Sequence, residues 1–170
     1  KSWFRTVSLS QLLKVLQNLL IEQVPVRDLR SIAESLTNLQ PKTQDIGQLT
    51  NAARMGLSRL IVQGIVGNDR EIPVITLDRS LEQLLQKTVQ QAGNDGNLDG
   101  VSLEPGMAER LQQSLQETVS RLEQEGKPAV LLVSASVRML LARFVRHGVP
   151  NLKVLSFQEI PDNKHITIVA

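Results

Sequence analysis

The fold is decided by residues 128–160, PAVLLVSASVRMLLARFVRHGVPNLKVLSFQEI, because this stretch contains one complete strand–helix–strand unit. Residues 129–133 form an apolar run that is too short for a helix and is typical of a strand buried on both faces. Residues 154–157 predict a second strand. A crossover of this length lets the two strands lie parallel, with a right-handed connection between them.

The middle of this unit predicts an amphipathic helix. Ser134 or Ser136 can cap its start by accepting a backbone N–H bond. Gly148 followed by Pro150 predicts an end in a left-handed glycine cap. The apolar residues between these signals recur at helical spacing: Val137, Leu140, Leu141, Phe144 and Val145.

Three amphipathic helices are predicted in the first part of the chain. Ser8 and Gln11 have the spacing of a capping box at the start of the first, and Asp45 and Gln48 have it at the start of the third. The predicted buried faces are Leu9, Leu12, Leu13, Leu16, Leu19 and Leu20; Val26, Leu29, Ile32, Ala33, Leu36 and Leu39; and Ile46, Leu49, Ala53, Leu57, Leu60 and Ile61. Since no helix can bury such a face alone, we expect the three to pack together.

The second part predicts layers added to the strand–helix–strand unit. A loop rich in glycine and polar residues at 64–71 marks the boundary, and Pro73 opens a strand. Residues 165–169 alternate polar and apolar, as an edge strand does. The sequence therefore predicts an α+β fold, with a three-helix subdomain at 1–66 and a small α/β subdomain at 67–170 whose sheet is mainly parallel and has three to four strands.

Composition excludes several classes of site. The chain has no Cys, so disulfides, thiolate catalysis and sulfur-ligated zinc are excluded. Its 19 basic and 17 acidic residues give a net charge of +2, which does not predict nucleic-acid binding. No apolar run reaches the ~18 residues of a membrane span, and no signal peptide opens the chain. Because it begins without Met and ends on an apolar strand, we expect a fragment of a longer protein.

The segment DGNLDG at residues 95–100 matches the first half of a calcium-binding loop. The twelfth position of such a loop holds a bidentate Glu, but here it is Gly106, and Glu104 comes two residues early. A plain turn is therefore favoured, and no metal or cofactor is expected.

Ser134 lies where an esterase nucleophile would follow its strand, but Leu132 and Ser136 replace the glycines of G-x-S-x-G. A helix cap is therefore the favoured interpretation. An alternative hypothesis is a small α/β enzyme with a site at the carboxyl ends of the strands, near Ser134, Ser156 and Glu159.

The last 42 residues carry more basic than acidic side chains. The basic residues are Arg138, Arg143, Arg146, Lys153 and Lys164. An RNA-binding module is thus a second alternative, but aromatic residues for base stacking are lacking, so a solvated face or a protein contact is favoured. His147, at a predicted helix end, and His165, at a strand start, belong to no catalytic motif.

Four stretches resemble one family in collinear order. They are 12–36, LLKVLQNLLIEQVPVRDLRSIAESL; 49–62, LTNAARMGLSRLIV; 103–111, LEPGMAERL; and 130–160, which closes on LSFQEI. The chain is similar to the FlhA/InvA-type export-gate family of type III secretion from about residue 8 to residue 170. Asn51 stands where an acidic residue is common in the family, and Ala53 where Val is. The sequence VLSFQEIPDN, at residues 154–163, resembles flagellar members more than virulence-associated ones.

The resemblance implies a bacterial inner-membrane protein with membrane helices followed by a cytoplasmic region of four subdomains, which assembles into a nine-membered ring. This chain is similar to the third and fourth subdomains only. The implied role is a non-enzymatic ring platform of the flagellar export gate, with chaperone–substrate complexes and ATPase-complex proteins as partners. Neither a cofactor nor nucleic acid is expected, and contact with the membrane would run only through the part outside this chain.

The resemblance also implies that the helical subdomain provides most of the ring contacts. We expect these contacts on the polar faces of its helices, at Arg27, Asp28, Arg30 and Glu34.

Overall fold

The computed structural model describes residues 8–39, 45–91 and 103–170. These residues form two compact units, one up to Gly64 and one from Ile65 onward, named here the helical unit and the α/β unit. The assignment of 1–66 and 67–170 to two subdomains of the family stays a prediction.

The helical unit contains helices α1 (Leu9–Ile21), α2 (Leu29–Thr37), α3 (Ile46–Gly56) and α4 (Ser58–Val66), the last of which ends just past the division between the units. The predicted capping box at the start of α1 is confirmed. The Ser8 hydroxyl accepts a bond from the Gln11 backbone N–H at 3.1 Å, and the Gln11 side-chain oxygen accepts one from the Ser8 N–H at 2.9 Å. Two N–H groups that the first turn leaves without helical partners are thereby satisfied.

Helix α1 ends in a left-handed turn at a residue that is not glycine. Gln23 has φ of 63°. Its N–H donates to the Leu20 carbonyl and the Val24 N–H donates to the Leu19 carbonyl, both at 2.9 Å. This is the Schellman pattern, which normally places glycine at the left-handed position because a side chain there is strained.

The single helix predicted from Asp45 to Ile61 is two helices, α3 and α4. The break falls at Leu57, whose N–H is shared between the carbonyls of Ala53 and Arg54 at 3.1 and 3.0 Å. Gly56, just before the break, faces α2 so closely that a Cβ atom would lie 1.9 Å from the Ser35 hydroxyl. Glycine therefore permits the close approach of α2 and α3.

Nine buried apolar residues form the core of the helical unit: Val15, Leu19, Val24, Ile32, Leu36, Leu49, Ala52, Ala53 and Leu57. A polar seam joins α1 to α3 beside this core. The Asn18 amide donates to the Thr50 hydroxyl at 3.2 Å, and Arg54, which is buried, pairs with Glu22 at 3.5 Å.

The α/β unit contains β1 (Glu71–Thr76), α5 (Arg79–Gln91), α6 (Pro105–Gln124), β2 (Val130–Val133), α7 (Ala135–Gly148), β3 (Lys153–Ser156), a 3-10 turn (Phe157–Glu159) and β4 (His165–Ile168). The strand order is β3-β2-β1-β4, and every pair is parallel. The predicted α+β fold with a small, mainly parallel sheet is confirmed, and β4 is the predicted edge strand.

Pro73 is the third residue of β1 rather than its first. It pairs with Thr167 of β4, whereas the pairing of β1 with β2 involves only Ile75 and Thr76. Proline at this position therefore lies outside the β1–β2 ladder. Within that ladder, its missing N–H would have removed a hydrogen bond.

The core of the α/β unit is built on the sheet. All four residues of β2 are buried, as the apolar run predicted for a parallel strand covered on both faces. Eighteen buried apolar residues form the cluster around it: Ile75, Leu85, Leu103, Leu111, Leu115, Val119, Leu122, Ala129, Leu131, Val133, Val137, Leu140, Leu141, Ala142, Val145, Val149, Leu152 and Val154.

The predicted left-handed cap at Gly148 is wrong. The glycines that adopt positive φ in the described ranges are Gly67 and Gly126, and Val149 caps α7. Gly148 instead lies against α6, where a Cβ atom would come within 2.9 Å of the Gln112 side chain. The Gln116 amide donates to the Gly148 carbonyl at 2.9 Å.

None of the helices in the described ranges is both long and apolar enough to cross a membrane.

Candidate interaction surface

The four residues predicted to form ring contacts lie at the start of α2, and all four are exposed. Asp28 is the N-cap of α2, and its carboxylate accepts bonds from the Ser31 hydroxyl at 2.6 Å and the Ser31 N–H at 3.0 Å. These bonds hold the pKa of Asp28 below its usual value, the hydroxyl bond contributing most. Asp28 therefore has a structural role in starting the helix.

Arg30 and Glu34 form an ion pair one turn apart on α2, at 3.2 Å. Their side chains are 90% and 62% exposed, so water screens the pair and its contribution to stability is small, about 0.3–0.5 kcal/mol. Arg27 is exposed one residue before the cap. The four predicted residues are thus all accessible, and two of them, Arg30 and Glu34, contact each other.

The predicted buried face of α1 is partly wrong. Val15 and Leu19 are fully buried, but Leu9, Leu13 and Leu20 are each half exposed or more. At 100° per residue these three leucines fall within a 40° arc, so they form a single stripe along the helix. The apolar face of α1 is therefore wider than the part of it that the rest of the helical unit buries. Periodicity marks the whole face and does not show which side of it remains exposed.

At the carboxyl end of β2, Ser134 occupies the predicted N-cap position of α7, but its side chain makes no capping bond. Its hydroxyl accepts from the Gln86 amide at 3.1 Å and lies 3.2 Å from the Ser136 hydroxyl. Its N–H donates to the Glu82 carboxylate at 2.7 Å. Ser134 thus ties the end of β2 to α5.

Ser156 and Glu159 form a buried capping box around the 3-10 turn after β3. One Glu159 oxygen accepts from the Ser156 N–H at 2.9 Å, and the other lies 3.9 Å from Arg138 Nε. The Arg138 side chain is completely buried. The residues of the hypothetical enzyme site therefore have structural roles: Glu159 closes a turn and neutralises a buried cation. The S-x-x-E spacing is a sequence signal that could have revealed this box.

The predicted basic surface is smaller than the sequence suggested. Arg138 is buried, and Lys164 Nζ donates to the carbonyls of Gly67, at 3.1 Å, and Asp69. Arg143, Arg146 and Lys153 remain at least partly accessible. An RNA-binding hypothesis that depended on all five cations loses Arg138, which is buried.

His147 lies in the last turn of α7, as predicted, and His165 begins β4; both are exposed. The possible calcium loop at 95–100 lies outside the described residues. Within residues 8–39, 45–91 and 103–170, no group of three or more acidic or histidine side chains is arranged to hold a metal ion.

Sequence comparison assigns the chain to a family. Residues 2–165 match the FHIPEP family. The flagellar biosynthesis protein FlhA of Salmonella typhimurium is 45% identical over 164 residues, which cover 96% of this chain and 22% of that protein. The chain therefore spans about a fifth of the length of this relative.

Solved structures show the same fold. The Shigella flexneri MxiA protein matches with a TM-score of 0.79 at 28% identity, over 99% of this chain and 53% of that one. The nonameric SctV-C from EPEC matches with a TM-score of 0.80 at 24% identity, over 99% of this chain and 50% of that one, which shows likeness of fold.

The sequence identities also confirm that the chain is most like the flagellar members, since it is 45% identical to FlhA and 28% identical to MxiA. The family model, the FlhA relatives and the shared fold agree with one another. The chain belongs to the FHIPEP family, the export-gate family of type III secretion that its sequence resembles.

Proposed function

We propose that this chain is a non-enzymatic part of the cytoplasmic region of a flagellar type III export gate, and that it contributes to a homo-oligomeric ring beneath an inner-membrane channel. The observation that carries the proposal is the 45% identity to FlhA over 96% of the chain. The ring would dock export substrates, their chaperones and components of the ATPase complex, and the family resemblance implies nine subunits.

The structural roles of the polar groups at the carboxyl edge of the sheet support a scaffold. Ser134, Ser156 and Glu159 each hold neighbouring elements in place. A nucleophile needs a base within hydrogen-bonding reach. Among the described residues, the Ser134 hydroxyl bonds to an amide and a hydroxyl, and its backbone N–H bonds to a carboxylate. Their arrangement serves packing between elements.

Ring contacts at the start of α2 are the second part of the proposal. Arg30 and Glu34 are exposed on a helix that Asp28 caps, and Arg27 is exposed just before that cap. Exposed charges of this kind set the orientation and rate of association more than its strength. Other contacts must therefore supply most of the free energy of assembly.

A chimeric protein tests the export role. We expect Salmonella typhimurium FlhA, with its 164 matching residues replaced by those of this chain, to support swimming and flagellin export. The chimera with the buried Arg138 changed to Ala is the negative control. A chimera that accumulates to normal levels and inserts in the membrane, yet exports nothing, would contradict the proposal.

Charge reversal tests the ring surface. In the same chimera, Arg27→Glu and Arg30→Glu should reduce ring assembly of the isolated cytoplasmic region, measured by mass photometry, because they change the charge presented to the neighbour. Arg79→Glu, an exposed cation in the α/β unit, is the matched control. If Arg27→Glu, Arg30→Glu and Glu34→Lys all leave assembly unchanged, the ring contacts lie elsewhere.

A further inference from the structure

The last strand of the sheet presents an unpaired edge. Strand β4 pairs with β1 on one side, and it ends the order β3-β2-β1-β4, so no strand of the described residues lies on its other side. All four of its residues, His165 to Ile168, are exposed. An unpaired strand edge is a template for the addition of another strand.

The register identifies the backbone groups that face outward. The N–H groups of His165 and Val169 donate to the carbonyls of Arg70 and Val74, towards β1. In a parallel ladder alternate residues bond to the same neighbour, so the N–H and C=O groups of Ile166 and Ile168 point to the open side. Their side chains are 42% and 64% exposed and lie on one face.

Two features that usually protect an edge strand, proline and charged side chains, are absent from β4. Its four residues include no proline and no Lys, Arg, Asp or Glu. The lysine that precedes it, Lys164, is held by the carbonyls of Gly67 and Asp69. At the other end, the Arg121 guanidinium donates to the Val169 carbonyl at 3.0 Å, and the Thr76 N–H donates to the Ala170 carbonyl at 3.0 Å. The strand is thus fixed at both ends, so an incoming strand need not order it.

The charged residues around β4 distinguish two possible partners for its open edge, a second copy of the chain and a peptide. Antiparallel pairing with a second copy, centred on Thr167, would place Lys164 of one copy beside Arg121 of the other at both ends of the contact. Glu71, whose carboxylate lies 3.5 Å from the Thr167 hydroxyl, is an acid near the middle of the strand. Two copies therefore bring cations together at the ends, whereas a peptide with acidic ends would be attracted there.

We propose that the outer edge of β4 binds an extended peptide segment by strand addition, with apolar residues at alternate positions and acidic residues at its ends. Backbone hydrogen bonds to Ile166 and Ile168 would give affinity, and contact with their side chains would select the alternating apolar pattern. The binding site goes beyond the proposed ring function and does not depend on it.

The test measures binding of a fluorescein-labelled peptide, EVTVTVE, to the 170-residue chain by fluorescence anisotropy. We expect saturable binding that Ile168→Lys weakens at least about tenfold, since it places a charge on the edge without disturbing the core. Ile168→Pro should weaken it similarly, because it removes an outward N–H and leaves the bonds to β1 in place. Leu84→Lys, at an exposed leucine on α5, is the matched control and should leave binding unchanged.

Two further measurements locate the site. The same peptide N-methylated at alternate amides should not bind, because it cannot complete the ladder. Amide hydrogen exchange at Ile166 and Ile168 should slow when the unmodified peptide is present. The proposal is wrong if the peptide does not bind, if Ile168→Lys and Leu84→Lys behave alike, or if sedimentation shows that the chain pairs with itself through β4 and the peptide cannot compete.

Discussion

The helical unit and the α/β unit complete their burial to different extents. In the described residues, eleven large apolar side chains are exposed, and seven of them lie in the helical unit. The core cluster of the helical unit is nevertheless the smaller one, with nine residues, whereas that of the α/β unit has eighteen. A parallel sheet is stable only when both faces are covered, so the α/β unit must provide its own cover. A helix bundle can leave part of an apolar arc open, and this one does at Leu9, Leu13 and Leu20.

The buried ion pair of the α/β unit gives the largest expected effect. Arg138→Ala should destabilise the chain by about 3–5 kcal/mol, because Glu159 would remain buried without its cation. Arg146→Ala, an exposed arginine two turns along α7, should change stability by no more than about 0.5 kcal/mol. Urea unfolding followed by circular dichroism measures both, and equal effects would show that the buried pair contributes little.

Adjacent leucines test how sharply the helical unit divides its apolar arc. Leu19→Ala should destabilise that unit by about 2–5 kcal/mol, since the side chain is fully buried in the core. Leu20→Ala removes a side chain that is 56% exposed and should cost less than about 1 kcal/mol. Thermal unfolding measures both variants, and equal midpoint temperatures would contradict this division of the apolar face.

Two glycines test the close approach of α2 and α3. Gly56→Ala should destabilise by about 1–3 kcal/mol, because the new Cβ would overlap the Ser35 hydroxyl. Gly64→Ala, also helical but with no atom within 4 Å of the added Cβ, should stabilise the helix by up to about 1 kcal/mol. Opposite signs in urea unfolding are the expected result, and destabilisation by both would point to backbone effects instead.

Gln23 offers a stabilising change in the helical unit. Gln23→Gly should raise stability by about 1 kcal/mol, because glycine adopts a φ of 63° without strain. Gln17→Gly, in the middle of α1, is the control and should lower stability by a similar amount. A loss of stability at both positions would indicate that the Gln23 side chain has a larger role than its backbone strain.

The smallest expected effect concerns acid stability. The pKa of Asp28 is lowered in the folded state by its bonds to Ser31, so its ionised form stabilises α2. That contribution is fully present above the unfolded pKa of about 3.9 and is lost as the pH falls through the folded value. Asp28→Asn keeps a capping residue and should reduce the loss of stability between pH 5 and pH 2. Identical acid unfolding curves for the two proteins would contradict this role.

Much of the fold could be predicted from local signals. The run at 129–133, the capping box at Ser8 and the alternation of β4 each depend on neighbouring residues, and each has the predicted outcome. The burial of Arg138 could not be predicted in this way, because its acidic partner follows 21 residues later across β3. Gly148 likewise meets Gln112 from another helix, and a stop signal in the sequence cannot distinguish a left-handed turn from a close approach.

The candidate surface was predicted less completely. Charged residues at the start of α2 are visible in the sequence, and the structure shows that Asp28 caps the helix while Arg30 pairs with Glu34. The open stripe on α1 was missed because an apolar periodicity marks the whole arc and not the part that neighbours cover.

The position of β4 has a consequence for biosynthesis. This strand, the last in the chain, pairs with β1, the first. Lys164 also bonds to a backbone carbonyl that precedes β1, that of Gly67. During translation, the edge of β1 that pairs with β4 therefore stays unpaired until nearly a hundred further residues have left the ribosome. At about 5–20 residues per second this is a delay of roughly 5–20 seconds, during which the unpaired edge of β1 is exposed and prone to aggregation.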